Sequence, residues 1–437
     1  MQYIPNLIFA LLLVAGVYFF VGNVKRIIRN IKLGKDVDRS DQKSERWANM
    51  ARIALGQSKM VRRPVSGLLH IIVYAGFIII NVEVLEIILD GLLGTHRLFL
   101  PILGNGFYGF LIGTFEVLAL LVLVAVIVFW IRRNVIKIKR FLNKEMTGWP
   151  KNDGNFILYF EMVLMSLFLI MNATDAHLQA AGIGNIVSQF IAPLFSGISP
   201  EGLHTIERVS WWIHITGILV FLNYLYYSKH LHILLAFPNT FYANLKAKGQ
   251  FSNNKNVTKE VQLMMDPNAD PYAAPAEDEG EPEKFGASDV TDLNWVQLMN
   301  AYTCTECGRC TSVCPANLTG KELSPRAIMM KTRDRLQEVG KNIEANNGTF
   351  QDDGKQLLGD DYITQEEIWA CTSCNACVEE CPVNIDPLSI IMDMRQYLVM
   401  EQSAAPQELN AMMQNVENNG APWPYSQMDR LNWVNEE

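Results

Sequence analysis

The 437-residue sequence has no excess of basic residues, and this lack restricts the partners that can be expected for it. It contains 37 Lys and Arg against 45 Asp and Glu, and its isoelectric point is about 5.5. Such a balance gives no reason to expect a nucleic acid partner, because those proteins carry a basic surface. The net charge of −8 is an average over two unlike halves, apolar with basic loops up to about Phe237 and acidic afterwards.

Two further absences narrow the class of protein. No Lys or Arg precedes Lys25, so the first apolar run does not fit a cleaved signal peptide, which carries positive charge before its apolar stretch. The C-terminal half shows no alternation of apolar and polar residues, so no β-sheet is expected there. We therefore predict an all-α protein.

Five apolar segments are candidates for membrane-spanning helices. A helix that crosses the hydrocarbon layer needs roughly 20 apolar residues. The segments are Ile4–Val24, Val65–Leu89, Phe107–Ile131, Phe156–Asn172 and Val209–Tyr227. A sixth apolar patch, Ile183–Leu194, is too short to span and contains Pro193, so we expect it at the membrane interface or as a cap on the bundle.

The basic residues predict the orientation of this five-helix transmembrane bundle. They concentrate in the loops after the first and third spans, while the other two connections contain only Arg97 and Arg208. By the positive-inside rule, the N-terminus lies outside and the part after the fifth span lies in the cytoplasm. We expect a multi-pass protein of the cytoplasmic (inner) membrane, in contact with the lipid bilayer.

The chain divides into four predicted parts. Residues 1–237 form the transmembrane domain, 238–286 an acidic linker rich in Pro and Ala, 287–402 a helical domain, and 403–437 a C-terminal tail. Within the linker, Asp266–Lys284 offers little that could form a core, so we expect an extended tether there. Helices are predicted over Ser324–Val339, where Pro325 follows Ser324 as cap, and over Pro387–Glu401.

All eight cysteines occur in two copies of the motif C-x2-C-x2-C-x3-C-P. This spacing is typical of a domain that holds two [4Fe–4S] clusters, in which the fourth cysteine of each run reaches the other cluster. The first cluster is assigned to Cys304, Cys307, Cys310 and Cys381, and the second to Cys371, Cys374, Cys377 and Cys314.

Zinc and disulfides are the alternatives for these cysteines. Zinc sites usually group cysteines as two C-x2-C pairs, and disulfides are disfavoured in the predicted cytoplasmic location. Two adjacent clusters favour one-electron relay over substrate chemistry.

The residues around the cysteines carry a family resemblance. The segments CTECGRCTSVCPANLTGKELSPRAIMM and IWACTSCNACVEECPVNIDPLSIIMDMR resemble the helical ferredoxin module of heterodisulfide-reductase-type proteins, over about Asn300–Tyr397. The resemblance implies a catalytic partner with a cysteine-rich CCG domain. No CCG occurs in this chain, and the ending NNGAPWPYSQMDRLNW resembles the segment that leads into such a domain. We therefore expect a CCG-domain iron–sulfur subunit on a separate chain, bound by the tail.

A second resemblance concerns the histidines, which are costly inside a membrane unless paired or liganded. RPVSGLLHIIVYAGF and WWIHITGILVFLNYLYYSKHLH resemble helices 2 and 5 of the dihaem cytochrome b subunit of respiratory nitrate reductase. This implies an inner haem b held by His70 and His232, bound non-covalently because no C-x-x-C-H motif occurs. The alternative for these two residues is a pair of hydrogen-bonded histidines at the membrane interface. The fourth ligand of that family would fall on Ile80, so a second haem at His214 would need another partner, for which His177 is the candidate.

Carboxylates within the spans suggest where a quinone would exchange protons. Glu83, Glu86 and Asp90 share one face of the second span, and Glu116 lies in the third. Glu83 and Glu116 are the deeper groups, and buried ionisable groups often mark proton or substrate paths, so we predict a quinone or proton site at these two. The alternative is that these carboxylates lie at a solvated helix end or take part in ordinary pairing between helices, and we favour this alternative for Asp90.

Together these features predict a fused cytochrome b and ferredoxin subunit of a heterodisulfide-reductase-like complex. It would act as a quinone oxidoreductase subunit that moves electrons between membrane quinone and the CCG partner. A membrane ferredoxin that acts as a redox sensor or in oxidase assembly is the alternative, and it would need no haem ligands. A docking subunit with an inert bundle is a third.

Overall fold

The computed structural model describes residues 3–251, 253–267 and 284–434. The fold is all-α, as predicted, and these ranges contain two isolated β-bridges but no strand.

The transmembrane bundle consists of five helices, all longer than the predicted spans. They are α1 (Ile4–Ile31), α2 (Pro64–Leu93), α3 (Phe99–Asn134), α4 (Trp149–Thr174) and α5 (Pro200–Tyr224). All five are long and apolar enough to cross a membrane, so these predictions are confirmed. Gly104, with φ +73°, breaks the helical geometry near the start of α3, before the predicted span begins. Proline stands in the first turn of α2, α4 and α5, where its missing N–H costs nothing.

The bundle is held by apolar side chains that meet between helices. Ile112, Phe168 and Ile215 are almost completely buried where α3, α4 and α5 pack together. Large apolar side chains also point outward, among them Leu11 and Phe19 of α1. Such an exposed apolar surface suits a hydrocarbon environment.

Short segments close the end of the bundle that lies opposite to the cysteine-bearing domain, which we call the distal end. Here the patch predicted as Ile183–Leu194 forms a short helix, Ser188–Ile191, and a 3-10 turn. The backbone N–H groups of Val187 and Ser188 donate to the carboxylate of Glu116 on α3, at 2.8 and 3.0 Å. The patch therefore caps the bundle, one of the two placements predicted for it.

The cysteine-bearing domain is built on four longer helices. They are α6 (His232–Phe241), α7 (Trp295–Thr303), α8 (Pro325–Ala345) and α9 (Pro387–Met400). The two helices predicted from sequence are confirmed as α8 and α9, and the Ser324 hydroxyl caps α8 by accepting from the N–H of Ala327. Buried Leu298, Ile328 and Met394 form part of the shared core.

The predicted boundaries of the linker and tail stay predictions. Helix α6 runs across the predicted boundary at residue 237, and Lys255–Met265 forms a helix inside the predicted linker. Most of the predicted tether, Asp266–Lys284, lies outside the described residues. The tail contains a helix, Gln407–Asn419, that buries none of its residues.

The domain docks on the end of the bundle that carries the basic loops. The N–H of Lys35 donates to the Leu293 carbonyl at 2.8 Å, and the N–H of Trp295 donates back to the Lys35 carbonyl at 3.1 Å. Elsewhere, Arg63 pairs with Glu380 at 2.7 Å. The basic loops therefore serve as a docking platform for the domain, a role that their charge alone did not indicate.

Candidate redox site

The two cysteine runs adopt the same backbone conformation. In the first run, Glu306 and Gly308 have positive φ angles of 52° and 69° on either side of the second cysteine. Ser373 and Asn375 take the corresponding places in the second run, with φ of 58° and 61°. Left-handed residues bend the chain sharply, so each loop curls around its own first three cysteines.

The fold also brings the two runs together. A single cavity is lined by cysteines of both runs, namely Cys304, Cys307, Cys310, Cys377 and Cys381. Burial raises the pKa of the Cys371 and Cys377 thiols, and Cys314 of the first run lies close enough that its negative charge helps to raise the pKa of both. None of the eight cysteines forms a disulfide. This is the neighbourhood that crossed ligation requires, and the residue-by-residue assignment stays a prediction.

Burial makes the free thiolates unfavourable in this site. It raises the pKa of Cys304 to about 12 and that of Cys381 to about 11, mainly because the charged form is desolvated. Thiolates here therefore need a compensating positive charge, which iron supplies. Backbone donors also aim at sulfur, since the N–H of Ile385 lies 3.3 Å from Cys381 Sγ. Such bonds tune the reduction potential of a bound cluster.

A buried ion-pair network joins the first cysteine loop to the bundle. Glu306, only 3% exposed, accepts from Lys229 Nζ at 2.5 Å and from Arg333 Nη1 at 2.8 Å. Lys229 also donates to the Pro150 carbonyl at the start of α4, at 2.6 Å. Burial acts to raise the pKa of Glu306, but the two cations outweigh it and hold that pKa below its ordinary value. This network cannot be predicted from the sequence, because nothing local distinguishes Glu306 from a solvated loop residue.

His70 and His232 face each other between the bundle and the first cysteine loop. Their ring centroids are 6.4 Å apart. The Nδ1 of His232 lies 3.1 Å from the Lys229 carbonyl, while the buried Nδ1 of His70 has no hydrogen-bond partner in the part of the chain that the structure describes. Arg309, next to Cys310 in the chain, donates to the Lys59 and Met60 carbonyls at 3.0 and 3.2 Å, which ties the cysteine loop to the approach to α2.

The other predicted histidine pair is not brought together. His214 is buried in the middle of the bundle, with Nδ1 3.0 Å from the Leu164 carbonyl. His177 is exposed on the short helix Ala176–Ala181. Ten residues of α4 separate Leu164 from Thr174 at the helix end, about 15 Å along the axis. The pairing of His177 with His214 finds no support in this arrangement.

Glu83 and Glu116 belong to a hydrogen-bonded cluster at the distal end. Its centre is buried Arg97, whose guanidinium donates to Glu83 at 2.6 Å, Asn172 at 2.7 Å and Asp175 at 3.3 Å. Asn172 in turn donates to Glu116 at 3.2 Å. From the sequence Arg97 is only a loop charge, and its central place in this cluster follows from the fold. The quinone or proton role of Glu83 and Glu116 stays a prediction.

Comparison with known proteins agrees with the interpretation of the cysteines. Residues 303–385 match the 4Fe-4S dicluster domain family. The chain is 29% identical to the probable iron-sulfur-binding oxidoreductase FadF of Bacillus subtilis, over 98% of this chain and 61% of that protein. It is 24% identical to the EtfAB:quinone oxidoreductase of Syntrophomonas wolfei, over 98% of this chain and 59% of that one.

A further relative matches only about a third of the chain. It is one of the subunits of the dihydromethanophenazine:CoB–CoM heterodisulfide reductase of Methanosarcina mazei, 26% identical over 35% of this chain and 37% of its own length. The chain spans about three fifths of the length of the first two relatives. No solved structure matches it. The chain is a membrane-anchored iron–sulfur electron-transfer protein with a domain for two [4Fe–4S] clusters.

Proposed function

We propose that this protein transfers electrons between the membrane quinone pool and a CCG-domain partner, through haem b and its two [4Fe–4S] clusters. The observation that carries the proposal is the pair formed by His70 and His232, whose chain segments are both bonded to the first cysteine loop. A one-electron carrier held there would stand between the bundle and the clusters.

The residues of this pair fit a haem b held by two histidines. Imidazoles on opposite sides of one metal ion, each bonded at about 2 Å, place their ring centroids roughly 6 Å apart. The observed separation is 6.4 Å. The backbone carbonyl of Lys229 holds Nδ1 of His232, which leaves Nε2 for the iron, in the usual manner of metal-bound histidine. The unpartnered Nδ1 of His70 marks a site that is polar, buried and incomplete without a ligand. A haem bound there supplies reversible one-electron transfer.

The protein's own residues hold the two redox sites in a fixed relation. Arg309 binds the Lys59 and Met60 carbonyls, just before α2 and His70. Glu306, between the first two cysteines, binds Lys229, three residues before His232. The segments that carry the two histidines are thus both bonded to the first cysteine loop, so the fold fixes where the histidine pair lies relative to the cysteines.

The names of the relatives support the two ends of the electron path. One relative is a quinone oxidoreductase and another a subunit of heterodisulfide reductase. By analogy, we assign quinone to the membrane end and a CCG-domain iron–sulfur subunit to the other. By the positive-inside rule we assign the cysteine domain to the cytoplasm, and its docking on the basic loops Lys25–Arg63 and Arg132–Lys151 supports this assignment.

An optical spectrum of the purified chain tests this function. The reduced-minus-oxidised spectrum should show the α band of a b-type haem. His70→Ala and His232→Ala should each remove that band and stop quinol-dependent reduction of the clusters, while iron and sulfide contents stay unchanged. The alternative membrane ferredoxin, as sensor or assembly factor, would show no such band.

Two further histidines serve as controls. His230, whose ring lies 5.6 Å from that of His232, is the nearest competitor for the iron, and His230→Ala should keep the haem. His204, with a side chain 74% exposed at the distal end, is the matched distant control. If the band survives both His70→Ala and His232→Ala, the proposed pair does not hold the haem.

A further inference from the structure

A cavity in the middle of the bundle lies well away from the cysteines. It measures about 600 Å³ with its open mouth included, and helices α2 to α5 line it. Its wall is mostly apolar, with Val73, Ile80 and Phe221 among the lining residues. Three polar side chains also reach it, those of Asn81, Glu161 and His214. Ligand sites have this character, a mainly apolar wall with a few convergent polar groups.

His214 and Glu161 have unused hydrogen-bonding capacity at this cavity. His214 is 2% exposed, and its Nδ1 faces the Leu164 carbonyl, which leaves Nε2 without a hydrogen-bond partner among the described residues. Glu161 makes no hydrogen bond or ion pair within the same ranges. Ionisable groups at such depth in a membrane are costly and usually serve a function. In contrast, Glu116 at the distal end already accepts three hydrogen bonds.

We propose that this cavity binds the headgroup of a quinone or quinol, with His214 Nε2 and the Glu161 carboxyl group at its two ring oxygens. The proposal rests on the proposed function and moves the quinone site from the predicted Glu83 and Glu116 to Glu161 and His214. A ligand that enters an apolar cavity at this depth in the membrane must be lipid-soluble. It must also carry polar atoms at two ends to meet His214 and Glu161.

The opening of the cavity suits a ligand that arrives from the lipid. Phe77 and Asn81 line the cavity and are exposed on the outer surface of α2. The Asn81 amide N–H donates back to the Phe77 carbonyl, so its side chain lies along its own helix. An isoprenoid tail could then remain in the hydrocarbon while the headgroup reaches His214.

The position and proton chemistry of the site agree with this assignment. Ile80 lies ten residues after His70 on α2, about 15 Å along the helix toward the distal end. Oxidation of a quinol releases two electrons and two hydroxyl protons. Neutral His214 accepts one proton at Nε2 and the Glu161 carboxylate the other, while the electrons leave singly for the haem and clusters of the proposed function.

The test uses the full chain in lipid nanodiscs with a radiolabelled, photoreactive azidoquinone as the probe. Label should map to the cavity-lining peptides of α2, α4 or α5. Glu161→Gln and His214→Gln should each lower the labelling about tenfold or more, as expected for the loss of a hydrogen bond that involves an ionisable group. They should raise KM for decylubiquinol or menadiol, with haem and iron contents unchanged. Glu201→Gln, an exposed change at the start of α5, is the matched control.

Three other results distinguish a failure of this quinone site from a failure of the proposed electron-transfer function. Label that maps to the distal cluster, and falls with Glu116→Gln but not with Glu161→Gln, would overturn this site and keep the quinone function. A loss of haem in His214→Gln would assign the cavity to a haem and overturn the proposal too. If the unaltered protein neither takes label nor accepts electrons from either quinol, the proposed function itself fails.

Discussion

Replacing Glu306 by Gln should loosen the docking of the cysteine domain on the bundle. Glu306 is 3% exposed and is the shared partner of Lys229 and Arg333. Removing one partner of a buried ion pair typically costs about 3–5 kcal/mol, because the remaining charge is left uncompensated. Glutamine still offers one carbonyl acceptor, Lys229 keeps its bond to Pro150, and each cation keeps a second carboxylate, Asp153 at 3.7 Å for Lys229 and Asp334 at 3.0 Å for Arg333. We therefore expect a smaller cost, about 2–3 kcal/mol.

Hydrogen exchange at the interface measures this cost directly. The N–H groups of Lys35 and Trp295 are bonded across the interface, so they exchange when the domain undocks. A cost of about 2–3 kcal/mol corresponds to a roughly 30- to 150-fold faster exchange at these two amides. The exposed change Glu366→Gln should have no such effect.

A double variant tests the physical reason. In Glu306→Gln combined with Lys229→Met, no lysine charge faces the lost carboxylate, and Asp153, which loses its ion pair with Lys229, still accepts from the Tyr224 hydroxyl and the backbone N–H of residue 229. Part of the lost protection should therefore return. If amide exchange at Lys35 and Trp295 changed less than threefold in Glu306→Gln while the iron content stayed normal, the Glu306 ion pairs would not hold the cysteine domain on the bundle.

Three further predictions follow from the site and the fold. Cys314→Ser should damage the cluster held by the second motif and lower the iron content from about eight per chain. Iron analysis and electron paramagnetic resonance measure this change. Damage confined to the first cluster would reject crossed ligation. Arg97→Met leaves Glu83 and Asp175 buried without their cation and should destabilise the bundle by about 3–5 kcal/mol in denaturant unfolding; a loss below about 1 kcal/mol would contradict the central place of Arg97. A reporter that works only in the cytoplasm, fused after Glu437, should be active, and activity of a periplasmic reporter there would reverse the orientation.

Local pattern was enough to predict the helices and the cluster domain. A span depends on the length of an apolar run, and α8 depends on Ser324 and Pro325 at its first turn, so both are contained in contiguous sequence. The cysteine spacing is equally local, because three ligands of one cluster lie within seven residues. These are the predictions that the structure and the domain match confirm.

Groups whose role depends on distant neighbours could not be ranked from sequence. Glu83, Glu116 and Glu161 are all glutamates in apolar helices, yet two of them are hydrogen-bonded in the Arg97 cluster and the third borders a cavity without a partner. Glu83 and Glu116 were preferred as the quinone site because of their depth in the helices. Depth does not reveal which residues form hydrogen bonds with a buried carboxylate.

The same reason explains the histidines. His70 and His232 lie 162 residues apart in the chain and meet because the start of α2 and the segment after α5 lie at the same end of the bundle. His177 was only the remaining candidate to pair with His214, and the end of α4 carries His177 to the surface while His214 turns inward to Leu164. A helix fixes the spacing of its own residues, whereas the packing of several helices determines which buried polar atoms find partners and which remain for a ligand.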